Sequence, residues 1–374
     1  MPLRVLTISK PYVAATYRDK LALLEQAPDL TIGLICPTSW AGQAFEDDES
    51  RFWTRRLEIA FDGRNHFHLY KGLGKAVAAF APDVVNVEEE HYSAVTWQAF
   101  RSARAVGARC VFYTWQNIEK RYPPPFSFIE RYVFDHASVG VAGNAEAAEI
   151  LRHKGYRGPV PVIPQMGVDV DRFAPASESR AEAKAAAGLD PSTFWLAYVG
   201  RLVEEKGIQD LITAMSALDP AAAVRLAIAG AGPYASHLEE MAERRAPGRV
   251  TFTGSLPSTQ VPGLLQAVDV VCLPSRTRAN WKEQFGRVLV EAMAAEAIVL
   301  ASDAGEIPNV VGDAGIIHRE GDTGEIVAAI RRLHGDPDLR NELRERGRRR
   351  VRERYTNVVV ADAFADAFRL AAAR

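Results

Sequence analysis

Residues 274–295 read P-S-R-T-R-A-N-W-K-E-Q-F-G-R-V-L-V-E-A-M-A-A. The apolar run Val270–Leu273 stops at Pro274-Ser275, a polar loop follows, and Val288, Leu289, Ala292 and Ala295 then return at helical spacing: a strand, a loop and the start of a helix. Glu283 and Glu291 lie on either side of Phe285-Gly286. With the helix opening near Gly286, Glu283 falls in the loop and Glu291 one to two turns inside. Eight helical steps set residues about 12 Å apart along the axis and roughly 80° apart around it, which argues against one shared proton or metal ion. Between the glutamates stand the amides of Gly286, Arg287 and Val288. A helix start with a glycine that admits close approach suits phosphate. The arrangement fits an extended ligand of polar group, diphosphate and polar group. A nucleotide sugar has that shape, with hexose hydroxyls for one glutamate and ribose hydroxyls for the other. The plainer reading makes Glu283 a helix cap and Glu291 a solvated helical side chain.

Outward from this stretch, apolar runs alternate with helical patterns along the whole chain. In the second half they are 195–199, 225–229, 250–252, 268–273, 297–301 and 315–318; in the first half, 3–8, 31–36, 67–70, 83–87, 110–113, 139–142 and 162–164. Short, continuous, β-branched strands between helices describe an α/β chain with two doubly wound, Rossmann-like domains. Between the two sets, residues 164–192 are turn-rich and then Ala-rich. The expected division is 1–175, 176–355 and a last helix, 356–374, that packs back on the first domain. A chain of 374 residues, 48% of them apolar, can fill two such cores.

Composition excludes several classes. A formal charge of −2 and a pI near 6.5 leave no electrostatic footprint for nucleic acid. Cys36, Cys110 and Cys272 are scattered without C-x-x-C spacing, which suits reduced core thiols in a cytoplasm rather than disulfides or zinc. No apolar stretch approaches a membrane span, so a soluble protein is expected. The Arg-rich tail, 340–354, carries Glu342, Glu345 and Glu353 at helical spacing and reads as a solvated ion-pair helix. Two basic, aromatic stretches, Arg51–Lys75 and Lys120–Phe134, offer either a plain surface or a contact for a lipid-linked acceptor.

In a doubly wound domain the ligand lies at the carboxyl ends of the strands, where the strand order reverses. The second-half motifs all fall at such ends. Gly200-Arg201-Leu-Val-Glu-Glu-Lys206-Gly207 puts two cations beside the proposed diphosphate, which suits charge that accumulates on a departing terminal phosphate. Unless they meet it, both pair with Glu204 and Glu205 at the surface. Gly230-Ala-Gly232-Pro-Tyr-Ala235 loosely matches a dinucleotide-binding turn, and Ala304-Gly305-Glu306-Ile307-Pro308 is a third strand-end turn. Asp169-Val170-Asp171 reads as turn chemistry rather than a metal site. In the first half, Lys10, Tyr12, His91 and Gln116 stand after strands and are candidates for the acceptor side.

The set G-R-L-V-E-E-K-G, A-G-A-G-P, F-T-G, P-S and E-Q-F-G-R-V-L-V-E-A-M, in this order, closely resembles the GT-B glycosyltransferases of family 4, strongly from Tyr198 to Gly315 and more loosely before. The resemblance implies two domains facing across a cleft and a retaining transferase that moves a hexose from a nucleoside diphosphate sugar to an acceptor hydroxyl. It implies no cofactor and no metal. By the same resemblance Arg201 and Lys206 bind the donor diphosphate, Glu283 the transferred sugar and Glu291 the ribose, with Gly200, Gly232, Phe285, Gly286 and Arg287 around the donor. The acceptor is left as a saccharide, a small molecule or a lipid-linked alcohol, and the location as cytoplasmic with room for peripheral contact with the inner face of a membrane. Two departures stand out: Lys10-Pro11-Tyr12 replaces the family's usual Gly-Gly loop, and Gln116 stands where a histidine is common. A nucleotide-sugar epimerase of the same fold, an NAD-dependent oxidoreductase read from the 230–235 pattern, and a glycosidase are the competing readings.

Overall fold

The computed structural model describes residues 1–47, 52–177 and 179–374. It divides into two compact units, Met1–Gly167 with Asn357–Arg374, and Val168–Thr356. In the first unit the described residues form a six-stranded parallel sheet from β1 (Leu3–Ile8), β2 (Leu30–Pro37), β3 (Trp53–Leu57), β4 (Val84–Val87), β5 (Arg109–Thr114) and β6 (Val139–Ala142). Their order is β6-β5-β4-β1-β2-β3. The inner strands are runs of Val, Ile and Leu because helices cover both faces of the sheet, so neither set of alternating side chains meets water.

One strand lies where its sequence does not announce it. The expected 67–70 strand contributes only Leu69–Tyr70, which pairs antiparallel with Ile59–Ala60, and W-T-R-R-L at 53–57 is the sheet edge instead. Arg55 and Arg56 are exposed there. An edge strand needs burial on few of its positions and gains from charge, which discourages pairing with other chains, so its composition hides it. The expected 162–164 strand is a single bridge from Val162 to Ala142.

In the second unit the described strands are β7 (Phe194–Val199), β8 (Val224–Ala229), β9 (Val250–Gly254), β10 (Val270–Leu273), β11 (Ile298–Ser302) and β12 (Gly315–His318), all parallel, in the order β9-β8-β7-β10-β11-β12. The order reverses between β7 and β10. The unit boundary falls at Gly167–Val168 rather than near Pro175, because Val168 and Phe173 are buried in the second core and the Val168 amide donates to the Tyr355 carbonyl at 2.7 Å.

Helix Asn357–Ala372 belongs to the first unit and packs on helix Asp19–Glu25. The preceding helix, Pro337–Arg354, is more than a solvated ion-pair surface. Arg346 does pair with Glu342, but Arg340 donates to the last carbonyls of helix Thr323–Gly335, and Arg350 to those of Asn309 and Val310. These guanidiniums satisfy helix ends that would otherwise lack partners. The Ala-rich helix Arg180–Ala186 is likewise anchored, Arg180 donating to three carbonyls and Lys184 pairing with Asp269 at 2.8 Å.

The first unit also buries an ion pair. Lys20 Nζ lies 2.7 Å from Glu88 Oε1, with side-chain exposures of 1% and 0%. The same carboxylate accepts from Tyr12 Oη at 2.9 Å, Asn86 Nδ2 at 3.1 Å and Gln165 Nε2 at 3.2 Å, and the ammonium sits 3.9 Å above the Phe364 ring. Burial pulls the Lys20 ammonium down from its ordinary range while Glu88 pushes back. Lys20→Met strands a buried carboxylate and is expected to cost about 3–5 kcal/mol in urea unfolding, whereas Lys20→Met with Glu88→Gln should recover most of that loss.

Candidate functional site

The carboxyl ends of the second sheet are brought together by glycines. Gly207, with φ of 68°, follows the β7 loop, and a Cβ there would lie 1.9 Å from the Pro274 carbonyl oxygen of the β10 loop. At Gly230 a Cβ would meet the Gly200 carbonyl oxygen at 1.8 Å; at Gly232 the Leu202 oxygen at 2.2 Å; at Gly305 the Glu283 oxygen at 2.2 Å. Each of these loops touches the next backbone to backbone, so motifs far apart in sequence share one surface.

At the β7–β10 reversal they enclose a cavity of about 300 Å³. Gly200, Arg201, Lys206, Glu283, Gly286 and Arg287 all line it. Lys206 Nζ lies 2.6 Å from Glu283 Oε2, which also accepts from Ser275 Oγ at 2.9 Å. Glu283 Oε2 therefore faces the β7 loop. The Arg201 side chain is exposed at the cavity, while its carbonyl is held by the Tyr198 hydroxyl at 2.8 Å. The helix itself is Arg287–Ala294, entered through Gly286 in the left-handed conformation with φ of 74° and no side-chain cap. Its start carries partial positive charge from the first-turn amides. Cation, guanidinium and helix start converge on one cavity, an arrangement for a polyanion.

Three residues expected around the donor do not line this cavity. Gly232 is occupied in backing the Leu202 backbone. Phe285 turns its ring toward Tyr355, 5.7 Å between centroids, and packs against the core. Glu291 is not among the lining residues; it pairs with Arg287 Nε at 2.8 Å, and Arg287 lines the cavity. Burial pushes its carboxyl upward, with Arg287 and Arg172 pulling against it. Two lining or supporting groups have no site role assigned from sequence: Trp281, whose ring lies 4.9 Å from Lys206 Nζ, and Ser275, which counts there only as a turn and as part of the motif set. Both stand inside the 274–295 stretch, and the nearness of Trp281 to Glu283 is the only signal that points to it.

In the first unit the candidates separate. Lys10 pairs with Glu89 and lies over the Trp40 ring. Tyr12 is fully buried on Glu88. His91 is fully buried too, its Nε2 3.0 Å from Glu130 Oε1 and its ring stacked on Phe134, and Gln116 is 7% exposed with its amide donating to the Ile118 carbonyl. Tyr12, His91 and Gln116 are thus buried within the unit. Arg51, the first residue of the basic, aromatic stretch, lies outside the described residues. Sequence showed them after strands but not which way they turn. Asp169 accepts from the amides of Asp171 and Arg172, each at 3.0 Å, which is a turn. The three cysteines are buried thiols. Among the described residues no group of three or more His, Cys, Asp or Glu side chains is placed to hold a metal ion.

Two parallel, doubly wound units with this topology define the GT-B class. The whole chain superimposes on solved members: sucrose-phosphate synthase of Thermosynechococcus elongatus, at 19% identity and a TM-score of 0.74 over 98% of each chain, and Anabaena HepE in complex with UDP, at 18% identity and a TM-score of 0.74 over 98% of this chain and 99% of that one. Residues 179–350 match the family model of the glycosyl transferases group 1. Among curated relatives, D-inositol 3-phosphate glycosyltransferase of Nocardia farcinica is 34% identical over 236 residues, 59% of this chain and 50% of the relative. A GDP-mannose-dependent phosphatidylinositol monomannoside mannosyltransferase of Mycolicibacterium smegmatis is 34% identical over 177 residues, 46% of each chain. The match spans about half the length of these relatives.

Gly207 and Gly248 share a φ of 68°, but nothing lies within 4 Å of a Cβ at Gly248. Gly248→Ala should cost only the left-handed penalty of roughly 1 kcal/mol. Gly207→Ala should cost at least about 2 kcal/mol more, because the β7 and β10 loops must separate. Denaturant unfolding of the two variants measures the difference.

Proposed function

We propose that the protein is a retaining, metal-independent glycosyltransferase that moves a hexose from a nucleoside diphosphate sugar to an acceptor hydroxyl. The observation that carries this reading is the Lys206–Glu283 pair beside the start of helix Arg287–Ala294, with Arg201 and Arg287 on the same cavity. An anionic diphosphate competes with Glu283 for the Lys206 ammonium. Once the ammonium turns to phosphate, the carboxylate can accept hydrogen bonds from sugar hydroxyls. Charge that develops on the leaving phosphate as the bond to the anomeric carbon breaks is then met by Lys206, Arg201 and the helix start, which supply what a divalent ion would otherwise bring. The acceptor oxygen bonds to the same face of that carbon, and its proton passes to the departing phosphate oxygen, so the enzyme needs no nucleophile. Glu291 orients the donor from behind, through Arg287.

The relatives support this class: by name they are a D-inositol 3-phosphate glycosyltransferase and a GDP-mannose-dependent mannosyltransferase, and a structural neighbour was solved in complex with UDP. The dinucleotide-binding pattern at 230–235 loses force, because the absence of side chains at Gly230 and Gly232 is already accounted for by the carbonyls of Gly200 and Leu202 packed against them. A hexose epimerase of the same fold differs in one respect: it consumes donor without an acceptor.

Thermal-shift measurement against UDP-, GDP- and ADP-sugars should show one base family raising the unfolding temperature and the others not. Lys206→Ala should lower kcat by about 10²–10³-fold and Glu291→Ala by far less. Equal losses appearing only in KM, or turnover of the donor without acceptor at the full rate, would refute the mechanism.

A further inference from the structure

Between β10 and helix Arg287–Ala294 the chain folds a small hairpin. Arg278 and Trp281 pair antiparallel across the turn Ala279-Asn280, the Arg278 amide donating to the Trp281 carbonyl at 2.8 Å and the Trp281 amide to the Arg278 carbonyl at 3.2 Å. Carboxylates from three other segments fix its base. Arg276 chelates the buried Asp210, its Nε 2.8 Å from Oδ2; the Thr277 amide donates to Glu320 Oε2 at 2.6 Å; and Arg278 Nη2 lies 2.7 Å from Glu204 Oε1. Residues 277–280 are exposed, whereas Trp281 is half-buried and lines the cavity.

Both ends of Lys206 meet this hairpin. Beside its backbone, the Arg276 amide donates to the Glu205 carbonyl at 2.7 Å, and Gly207 lies against the Pro274 carbonyl. At its tip, the ammonium lies 2.6 Å from Glu283 Oε2 and over the face of the Trp281 ring, 4.9 Å from the centroid. Glu204, which could otherwise draw the ammonium to the surface, is taken by Arg278. One short segment thus fixes the turn that carries Lys206 and presents an aromatic face to its charge.

A lysine side chain is a point charge on a flexible four-carbon stem, so its ammonium keeps one position only where partners hold it. Of the two partners at the cavity, Glu283 serves only until its oxygens turn to sugar hydroxyls. A second carboxylate in place of Trp281 would hold the ammonium, but it would also neutralise it and repel phosphate. An aromatic face attracts a cation through the ring quadrupole and carries no net charge. It can therefore hold the ammonium while leaving its charge available to a diphosphate.

We infer that Trp281 is a positioning residue, whose ring holds the Lys206 ammonium at the cavity for the leaving phosphate once Glu283 has released it. The inference rests on the transferase reading and adds to it the group that keeps this charge in place while the bond to the anomeric carbon breaks. Trp281 acts through Lys206, so its removal matters only where Lys206 is present. A ring that merely shaped the cavity wall, or that stacked directly on the donor, would matter equally with and without the ammonium.

The test is a double-mutant cycle on steady-state transfer by the full chain, with the donor concentration varied. Trp281→Leu, which keeps an apolar side chain but no ring, should lower kcat about tenfold and change the donor KM by less than about twofold. Trp281→Phe restores a ring face and should recover most of that loss. In a Lys206→Ala background, Trp281→Leu should change kcat by less than about twofold. Circular dichroism and unfolding temperature identify variants that remain folded, and Trp281→Gln takes the place of the leucine variant if that chain does not fold. Equal falls for leucine and phenylalanine, or the same fall with and without Lys206, would overturn the inference in favour of a wall that only shapes the cavity. A rise confined to KM that persists without Lys206 would overturn it in favour of direct stacking on the donor. Those outcomes leave the transferase reading standing, whereas a wild-type chain that neither binds UDP, GDP or ADP in calorimetry nor turns over their sugars overturns both.

Discussion

Backbone touching backbone is the constraint on which the second unit depends. Where a strand ends, its loop has no ladder of hydrogen bonds to hold it, and in this sheet the neighbouring loops do that work. The carbonyls of Pro274, Gly200, Leu202 and Glu283 occupy the positions where Gly207, Gly230, Gly232 and Gly305 lack side chains. A cavity wall made of such contacts has little freedom to deform, because any side chain at these positions would collide with a neighbouring loop's carbonyl.

The electrostatics of the cavity follow from that assembly. Lys206 and Glu283 are 77 residues apart and form their pair only because the β7 and β10 loops meet. The pair is mostly shielded, so each charge depends on its partner for solvation, and a ligand with its own negative charge offers the ammonium an alternative. Behind it, Glu291 neutralises Arg287 at the helix start. The half-buried carboxylate and the guanidinium hold one another, so the second glutamate of the stretch is tied to a residue that lines the cavity.

The first unit spends its polar residues differently. Glu88, Glu130 and their partners make internal networks, whereas the aromatic side chains at 61, 67 and 128 remain outside. The contrast accounts for the candidates that changed character. Tyr12, His91 and Gln116 follow strands, as catalytic groups do, but structural side chains at the buried ends of strands do so too. Periodicity cannot separate the two, because both occupy the same place along the chain.

What the sequence by itself determined is the alternation of apolar runs and helices, and with it two doubly wound sheets; it also determined that helix Arg287–Ala294 begins at Gly286, since strand and helix periods and a glycine before an apolar repeat are local properties. Trp53–Leu57 escaped because an edge strand is under weak pressure to be apolar. Lys206 and Arg201 were legible as cations at a strand end. That Lys206 meets Glu283, that Phe285 turns inward and that Glu291 pairs with Arg287 were decided only by tertiary structure. Those facts depend on which loops approach one another, and the approach is set by strand order and by close contacts between segments far apart in the chain, which no pattern of neighbouring residues records.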